Sequence, residues 1–331
     1  MEERLRVVEA SVLEFEHFSM GFRDEKVVYN LLDDLTFPVR RGSVLGIVGE
    51  SGCGKSMTSL AVMRLLPAEA VVQSGRILFN GISLMDKSEL EMEKVRGKDI
   101  GMVFQEPMTS LNPVFTIGRQ IGESLKIHNP GVTQGWIRDQ VCQLLDHVGI
   151  SNPTKRYDQY PHQLSGGMRQ RVMIAIAVAC KPKLLIADEP TTALDVTIQA
   201  QVLDLMKRLV SESGSSLMLI THNLGVVAET CDEAVVMYAG QIVERGSVGH
   251  IFDRKAHPYT RGLMDSIPSL SKGEGELYSI PGTVPSIDSF SKGCRFADRC
   301  AHRKAHCEEM KPPLVEVDSG HFVACWELGE G

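Results

Sequence analysis

The sequence predicts an α/β domain with a largely parallel sheet, followed by a small irregular domain. Short apolar runs that suit buried strands alternate with helical stretches, which is the pattern of such a sheet. The clearest runs are VLGIV (44–48), LLIAD (184–188), SLMLIT (216–221) and EAVVMY (233–238). Beyond residue 253 the chain is rich in Pro, Gly, Ser and Cys and has no long periodic segment. We therefore predict one domain over 1–253 and a second over 254–331.

The other elements of the first domain follow from local patterns. Residues 12–48 predict short β segments, and a glycine-rich turn then leads into a helix over 55–66, which Pro67 would end. The segment GRILFNG (75–81) predicts an edge or antiparallel strand. A mostly helical region predicts a helical subdomain over about 108–180. An apolar stripe with helical spacing runs from Ile198 to Leu209 and predicts an amphipathic helix.

Charge and hydropathy exclude several classes of protein. The net charge of −7 argues against nucleic acid as the main partner, because phosphate binding needs concentrated Lys and Arg. The charged start of the chain has no apolar signal-peptide core. The longest unbroken apolar run, residues 172–180, is far shorter than the roughly 18 residues that span a bilayer. We expect a cytosolic protein that reaches a membrane only through a partner, and without disulfides.

A phosphate-binding loop is predicted at GESGCGKS (49–56), which fits G-x-x-x-x-G-K-[ST] between a buried strand and a helix. Backbone N–H groups of 50–56 would surround the β-phosphate. Lys55 would bridge the β- and γ-phosphates, and Ser56 would bind Mg²⁺. The simpler alternative is a glycine-rich turn with a solvated lysine. The predicted ATP contacts here are Gly49, Glu50, Ser51, Gly52, Cys53, Gly54, Lys55, Ser56 and Met57.

A second part of the site is predicted at LLIADEP (184–190), a hydrophobic strand that ends in two carboxylates. Asp188 would reach the Mg²⁺ shell, and Glu189 would act as general base on the attacking water. A solvated acidic turn is the alternative, and the motif alone is weak. It gains weight because a phosphate-binding loop lies upstream in the same chain.

The segment LSGGMRQR (164–171) completes a motif set that resembles the ATP-binding-cassette (ABC) ATPases over about residues 12–250. Ser165 followed by two glycines would open a helix and offer a hydroxyl and N–H groups to an anion. The other members of the set are the phosphate loop, Gln105, DEPTTALD (188–195) and His222. The resemblance implies a P-loop NTPase cassette with a mixed-sheet core, an antiparallel β subdomain and a helical subdomain.

The resemblance also implies that two cassettes pack head to tail. Each ATP would then lie between the phosphate loop of one cassette and the signature loop of its partner, which in this sequence is residues 164–171. Ser165 and Gly167, together with Gly166, would then bind the partner's ATP, and Asp195 would couple the two sites. Gln105 would contact Mg²⁺ and the attacking water, and His222 would hold the γ-phosphate. The adenine would stack on an aromatic side chain. Phe22 fits best by spacing and Tyr29 is the alternative, while a purely core role for Phe22 is the less favoured interpretation.

Two functions are compatible with such a cassette: the motor subunit of a membrane transporter, or a soluble protein acting on DNA or ribosomes. A single cassette, the absence of a long coiled-coil insertion and the negative charge favour the transporter. Several segments resemble ATPase subunits of oligopeptide and dipeptide importers: 106–113 (EPMTSLNP), 188–201, 255–268 (KAHPYTRGLMDSIP), 279–286 (SIPGTVPS) and 292–300 (KGCRFADRC).

That resemblance implies an importer with a substrate-binding protein, two permease subunits and two ATPase subunits. The ATPase partner would be a homologous chain or a second copy, and the chain would lie peripherally on the cytoplasmic face of the membrane. Importers of nickel and other small solutes share much of this tail, so they remain an alternative.

Four cysteines close to the C-terminus predict a metal centre. Cys294, Cys300, Cys307 and Cys325 suit a [4Fe–4S] cluster or a structural Zn²⁺. Paired zinc knuckles are absent and the gaps are wide, which favours the cluster, as does the association of such clusters with this pattern in the resembled family. His302 or His306 could replace a cysteine at zinc, but their charged neighbours Arg303 and Lys304 predict that they face solvent. Unligated cysteines are a further alternative. A structural role is preferred to redox or iron sensing.

Overall fold

The protein, seen here in a computed structural model, is described over residues 11–192, 194–266 and 279–328. The first ten residues of the predicted first domain, Ala193 of the DEPTTALD motif and the end of the 255–268 motif lie outside these ranges. The chain forms two units. The first consists mainly of residues 86–219, and the second of residues 13–39, 43–85 and 220–331. The predicted domain boundaries remain predictions.

Twelve strands are present in the described residues. They are β1 (Ser11–Asp24), β2 (Val27–Arg40), β3 (Val44–Val48), β4 (Ala70–Phe79), β5 (Ile82–Ser83), β6 (Ile100–Val103), β7 (Leu184–Asp188), β8 (Ser216–Thr221), β9 (Glu233–Tyr238), β10 (Gln241–Ser247), β11 (Val315–Asp318) and β12 (His321–Val323). The predicted strands at 44–48, 184–188, 216–221 and 233–238 are all confirmed, because a run that is apolar on both faces suits only a strand buried on both sides.

Eleven α-helices are present in the same part of the chain. They are α1 (Lys55–Met63), α2 (Glu89–Val95), α3 (Pro107–Ser110), α4 (Ile117–His128), α5 (Gln134–His147), α6 (Pro153–Tyr157), α7 (Gly166–Val178), α8 (Val196–Ser213), α9 (Leu224–Thr230), α10 (Pro258–Asp265) and α11 (His306–Glu309). No helix in the described ranges is long and apolar enough to cross a membrane.

The second unit contains an antiparallel sheet in the order β2-β1-β4-β5. The prediction of short β segments over 12–48 is wrong here, because β1 and β2 are each 14 residues long. A bulge in β1 explains the error: His17 has a φ of 49°, and Gly75 of β4 lies so close that a Cβ would meet the His17 carbonyl oxygen at 2.2 Å. A bulge shifts the alternation of side chains, so that one bent strand looks like two.

A mixed sheet with the order β11-β12-β10-β9-β3 also belongs to the second unit. The β3–β9 pair is parallel, whereas β9–β10, β10–β12 and β12–β11 are antiparallel. In the first unit β6 and β7 pair in parallel. The expectation of a largely parallel sheet therefore holds for the predicted core strands β3, β7 and β9. It fails for the C-terminal strands, which are short and lie in a region without periodicity.

A helix end differs from the sequence prediction where its position depends on backbone conformation and not on the pattern of side chains. α1 ends at Met63, three residues before the predicted end, because Arg64 adopts a left-handed φ of 49°. The N–H of Arg64 then donates to the Ala61 carbonyl at 3.1 Å, and the N–H of Leu65 donates to the Leu60 carbonyl at 2.9 Å, which closes the helix. α8 ends in the expected way at Gly214, with a φ of 64°. Its inner face buries Val202, Leu203, Leu205, Met206, Leu209 and Val210.

A fully buried carboxylate fastens the C-terminal strands to β10. Glu244, which is 0% exposed, accepts hydrogen bonds from the N–H groups of Ala256 at 3.0 Å and His257 at 2.9 Å. Its Oε1 also lies 2.8 Å from Nε2 of the buried His321 on β12. The Glu244 carboxylate thereby accepts hydrogen bonds from two later segments of the chain. Polar groups that are buried require such partners.

Replacing this carboxylate should destabilise the fold. We expect Glu244→Ala to lower the free energy of unfolding by about 3 kcal/mol, because it leaves two buried N–H groups and a histidine without an acceptor. Urea denaturation measures the loss. The exposed Glu93 provides the matched control, and Glu93→Ala should change stability by less than about 0.5 kcal/mol. Equal stability of the two variants would contradict a structural role for Glu244.

Candidate functional site

The phosphate-binding loop has the predicted strand–loop–helix setting, since residues 49–56 connect β3 to α1. Gly54 has a φ of 97°, and a Cβ there would meet Cδ2 of Leu32 at 2.5 Å. Gly49 is equally restricted, because a Cβ would meet the Met237 carbonyl oxygen at 2.2 Å. Both positions therefore require glycine for reasons of geometry as well as ligand approach.

Lys55 is almost completely buried, with 5% of its surface exposed. Its Nζ donates hydrogen bonds to the carbonyl oxygens of Gly49 at 2.8 Å and Glu50 at 2.9 Å. The ammonium group is thus held inside the loop, which argues against the alternative of a solvated lysine. Ser56 follows in the first turn of α1 and is half-buried.

Two members of the predicted loop have environments that the motif does not specify. The N–H of Glu50 donates to the hydroxyl of Tyr259 at 2.9 Å and is therefore not available to the β-phosphate. The N–H groups predicted to surround the phosphate are thus those of the later residues of the loop. Cys53 is fully buried, and burial raises the pKa of its thiol. The Cys53 side chain therefore behaves as the predicted small hydrophobe, and only its backbone is suited to a nucleotide contact.

In the first unit, the parallel pairing of β6 and β7 brings Gln105 and Glu189 together. Both residues follow the carboxyl end of a strand, the edge where α/β sheets bind ligands. Nε2 of Gln105 donates to Oε2 of Glu189 at 3.0 Å, and Oγ1 of Thr192 donates to the same oxygen at 3.0 Å. Glu189 also has a φ of 44°, a conformation that is rare outside glycine and is often found at functional sites. Asp188, at the end of β7, is 5% exposed.

The signature segment forms the predicted helix start. Ser165 is the N-cap of α7, and its hydroxyl accepts a hydrogen bond from the N–H of Met168 at 3.4 Å. Ser165 and Gly166 are exposed, and Gly167 is half-buried. Asp195 is likewise exposed and caps α8 through the N–H of Ile198 at 3.0 Å. The exposed N-terminus of α7 offers N–H groups and a positive helix end to an anion.

The remaining predicted ATP contacts lie in the second unit. His222 directly follows β8 and is exposed. Phe22 lies near the end of β1 and Tyr29 near the start of β2, and both are half-buried. Neither is buried deeply enough to be a core residue only, so Phe22 remains the predicted adenine contact and Tyr29 its alternative.

The four C-terminal cysteines line one small cavity, together with His257, Pro258, Phe296, Ala297, His302, Lys304, Pro312, Trp326 and Glu327. The N–H of Cys294 donates to the carbonyl of Cys307 at 2.8 Å. Burial and the neighbouring thiols raise the pKa of Cys294 to about 11. In the part of the chain that the structure describes, no group of three or more Cys, His, Asp or Glu is arranged to hold a metal ion.

The two histidines proposed as substitute zinc ligands have other surroundings. His302 is exposed and lies 3.5 Å from the Glu327 carboxylate, as its charged neighbours predict. His306 differs from that expectation, because it is half-buried with its ring edge-on to Trp326 at 5.4 Å between centroids. Neither arrangement favours a histidine ligand.

Sequence reasoning missed two residues that touch the phosphate loop. Tyr259 accepts the hydrogen bond from Glu50, and Arg299 forms a two-point ion pair with the Glu50 carboxylate. Both residues lie more than 200 positions after Glu50 and in no motif of the cassette. Both lie in the segments 255–268 and 292–300 that carry the resemblance to importer subunits, but nothing in those segments indicates a contact with the phosphate loop.

The phosphate loop, the strand that ends in Asp188 and Glu189, and the serine-capped signature helix define a P-loop ATPase of the cassette class. Comparison with known proteins agrees. The family model "ABC transporter" matches residues 32–192, and "Oligopeptide/dipeptide transporter, C-terminal region" matches residues 243–307. A dimeric bacterial ABC transporter cassette of known structure is 25% identical, with a TM-score of 0.64 over 71% of this chain and 98% of that one.

Curated relatives cover nearly the whole chain. A probable peptide ABC transporter ATP-binding protein of Sinorhizobium fredii is 50% identical over 96% of both chains. The oligopeptide transport ATP-binding protein OppD of Bacillus subtilis is 49% identical over 96% of this chain and 89% of its own length. The dipeptide transport ATP-binding protein DppD of Escherichia coli is 45% identical over 95% of this chain and 96% of its own length. The chain belongs to the family of ATP-binding subunits of ABC importers for oligopeptides and dipeptides, whose members are ATPases that drive transport.

Proposed function

We propose that this chain binds and hydrolyses MgATP and thereby drives uptake of oligopeptides or dipeptides through separate permease subunits. The observation that carries the proposal is the combination of a complete set of cassette motifs with a C-terminal region of the oligopeptide/dipeptide type. The DNA- or ribosome-acting alternative lacks support, since the relatives above are named as peptide transport proteins.

In this proposal Lys55 binds the β- and γ-phosphates. Mg²⁺ is contacted by Ser56, Asp188 and Gln105. Glu189 acts as general base, since a carboxylate held by Gln105 and Thr192 is oriented for one water molecule. His222 holds the γ-phosphate. The exposed Ser165, Gly166 and Gly167 bind the partner cassette's ATP, and Asp195 couples the two sites.

The proposed assembly contains a second cassette, two permease subunits and an extracytoplasmic binding protein that delivers the substrate. The second cassette is a homologous chain or a copy of this one. The chain would lie peripherally on the cytoplasmic face of the membrane, held by the permeases.

Reconstitution tests the proposed function. The chain is placed in vesicles with the permeases, cassette and binding protein encoded beside it, and uptake of a labelled dipeptide is followed with internal ATP. We expect ATP-dependent uptake that Glu189→Gln in this chain reduces strongly. Uptake of nickel without uptake of any peptide would overturn the proposed substrate class.

We further propose that the four cysteines hold a [4Fe–4S] cluster, with Zn²⁺ as the alternative. The four cysteines are donors of the type that either group binds, because they line the same cavity and both groups bind thiolates. In the described residues they are not arranged around a metal ion, so binding would require them to move closer together. The bound group would tie together residues 294–325, which contribute few large core side chains. The raised pKa of Cys294 means that binding must release its proton, so binding should weaken at low pH.

The metal proposal predicts iron and sulfide in protein purified without oxygen. We expect visible absorbance from the cluster, and we expect Cys300→Ser to lose iron and to melt at a lower temperature. Cys142→Ser, in α5, is the matched control and should retain both properties, because Cys142 does not line the cavity. Colourless protein with stoichiometric zinc would contradict the cluster and support Zn²⁺ as the bound group.

A further inference from the structure

We propose that Arg299 and Tyr259 are positioning residues for ATP: they hold Glu50, and through its carbonyl Lys55, in the geometry that binds phosphate. This inference rests on the assignment of residues 49–56 as the phosphate-binding loop. Neither residue belongs to the cassette motifs, and both come from the C-terminal part of the chain. The ATP site of this chain would then include residues beyond the cassette itself.

The backbone of Glu50 is fixed by Tyr259. The Glu50 N–H donates to the Tyr259 hydroxyl at 2.9 Å, and Tyr259 is 0% exposed. Its ring packs edge-on against Tyr238 at 4.8 Å between centroids and in a tilted orientation against Phe296 at 5.3 Å. Because aromatic side chains in such a cluster have little freedom, the hydroxyl is a fixed acceptor. Burial raises the pKa of Tyr259, which keeps the phenol neutral.

The side chain of Glu50 is fixed by Arg299. Two guanidinium nitrogens donate to the two carboxylate oxygens, at 2.6 Å and 3.0 Å. The Arg299 side chain is only 6% exposed, so solvent screens this pair less than it screens a surface ion pair. Burial opposes the charge, but the hydrogen bonds and charges of Glu50 and Tyr238 together outweigh it and raise the pKa of Arg299 above its usual range. A two-point pair fixes orientation as well as distance.

Arg299 is itself anchored on its far side. Its Nε donates to the carbonyl of Pro281 at 2.8 Å, and one terminal nitrogen lies 3.4 Å from the carbonyl of Ile280. The residue belongs to a short 3₁₀ turn, Ala297–Arg299, which stands between Cys294 and Cys300. The segment that carries the cysteines therefore also carries the residue that holds the phosphate loop.

Glu50 passes this constraint to Lys55. The carbonyl oxygen of Glu50 accepts one of the two backbone hydrogen bonds that hold the Lys55 ammonium. A shift of Glu50 thus moves both the loop and the cation that it positions. Displacement of a binding group by about 1 Å is enough to cost a large factor in affinity or rate.

The test is the affinity of the full chain for a fluorescent ATP analogue, measured by titration. We expect Arg299→Ala to raise the Kd about tenfold, and Arg299→Lys, which keeps the charge but loses the fork, to give an intermediate value. Tyr259→Phe removes only the acceptor oxygen and should raise the Kd about threefold. If Arg299→Ala does not fold, the two milder variants still decide the question.

A nearby arginine supplies the matched control. Arg303 lies four positions further on, pairs with Asp298 and Glu308, and has a half-exposed side chain. Arg303→Ala should leave the Kd unchanged. Steady-state hydrolysis adds a second readout: a positioning role raises the KM for ATP with kcat retained, whereas partial misfolding lowers kcat with KM retained.

The outcomes separate the two proposals. Folded Arg299→Ala and Tyr259→Phe proteins with the wild-type Kd and KM would overturn the positioning role and leave the ATP site intact. Unchanged binding in Lys55→Ala would instead overturn the assignment of the loop.

Discussion

Glu189→Gln is expected to lower ATP turnover by at least about a hundredfold while ATP affinity stays near that of the wild type. The amide cannot accept a proton from water, yet it keeps the size of the carboxylate. In the structure, Gln105 and Thr192 both donate to Oε2 of Glu189 and so hold the carboxylate whose proton-accepting role the amide would lose. Phosphate release measures turnover, and nucleotide titration measures affinity.

Slow turnover with intact binding has a second consequence. If ATP closes two cassettes and hydrolysis reopens them, the Glu189→Gln chain with its partner should accumulate as an ATP-bound dimer. Size-exclusion chromatography with light scattering detects it. Glu93→Gln, at an exposed position on α2, should behave as the wild type. Wild-type turnover by the Glu189→Gln protein would show that another group activates the water.

Lys55→Ala is expected to raise the Kd for ATP more than about a hundredfold, which in practice removes binding. Two effects act together. The substitution deletes the cation that faces the phosphates, and it leaves the carbonyls of Gly49 and Glu50 without their donor. The loss should be seen by isothermal titration calorimetry with ATP.

A matched surface lysine controls for charge. Lys94 lies in the last turn of α2, and Lys94→Ala should bind ATP as the wild type does. The melting temperature of Lys55→Ala must be recorded as well, because Lys55 is buried. A folded Lys55→Ala chain that binds ATP normally would refute the phosphate-loop assignment.

Local features of the sequence were enough to predict the core of the site. The loop at 49–56 requires glycine at fixed positions, so a short run of consecutive residues is enough to predict its geometry. Strands such as β7 and β8 are apolar at almost every position, which leaves burial on both faces as the only choice. The contact between Gln105 and Glu189 was not predicted in this way, because the strand β6 that precedes Gln105 was not recognised in the sequence; it follows from the parallel pairing of β6 with β7.

The features that could not be predicted depend on backbone conformation or on distant parts of the chain. The early end of α1 depends on the left-handed backbone conformation of Arg64, which the presence of an arginine in the sequence does not predict. The bulge at His17 depends on Gly75 of another strand. The contacts of Tyr259 and Arg299 with Glu50 join residues 209 and 249 positions apart, which no periodicity can show.

The pairing of the C-terminal hairpin with β10 has a practical consequence for the solubility of shortened chains. β10 pairs with β9 on one side, and on the other side its residues Glu244 and Arg245 pair with β12. A chain cut at the predicted boundary would lose β11 and β12 and would present the open N–H and C=O groups of β10 to other molecules. Such edges promote intermolecular strand pairing. The tail thus protects the sheet from self-association.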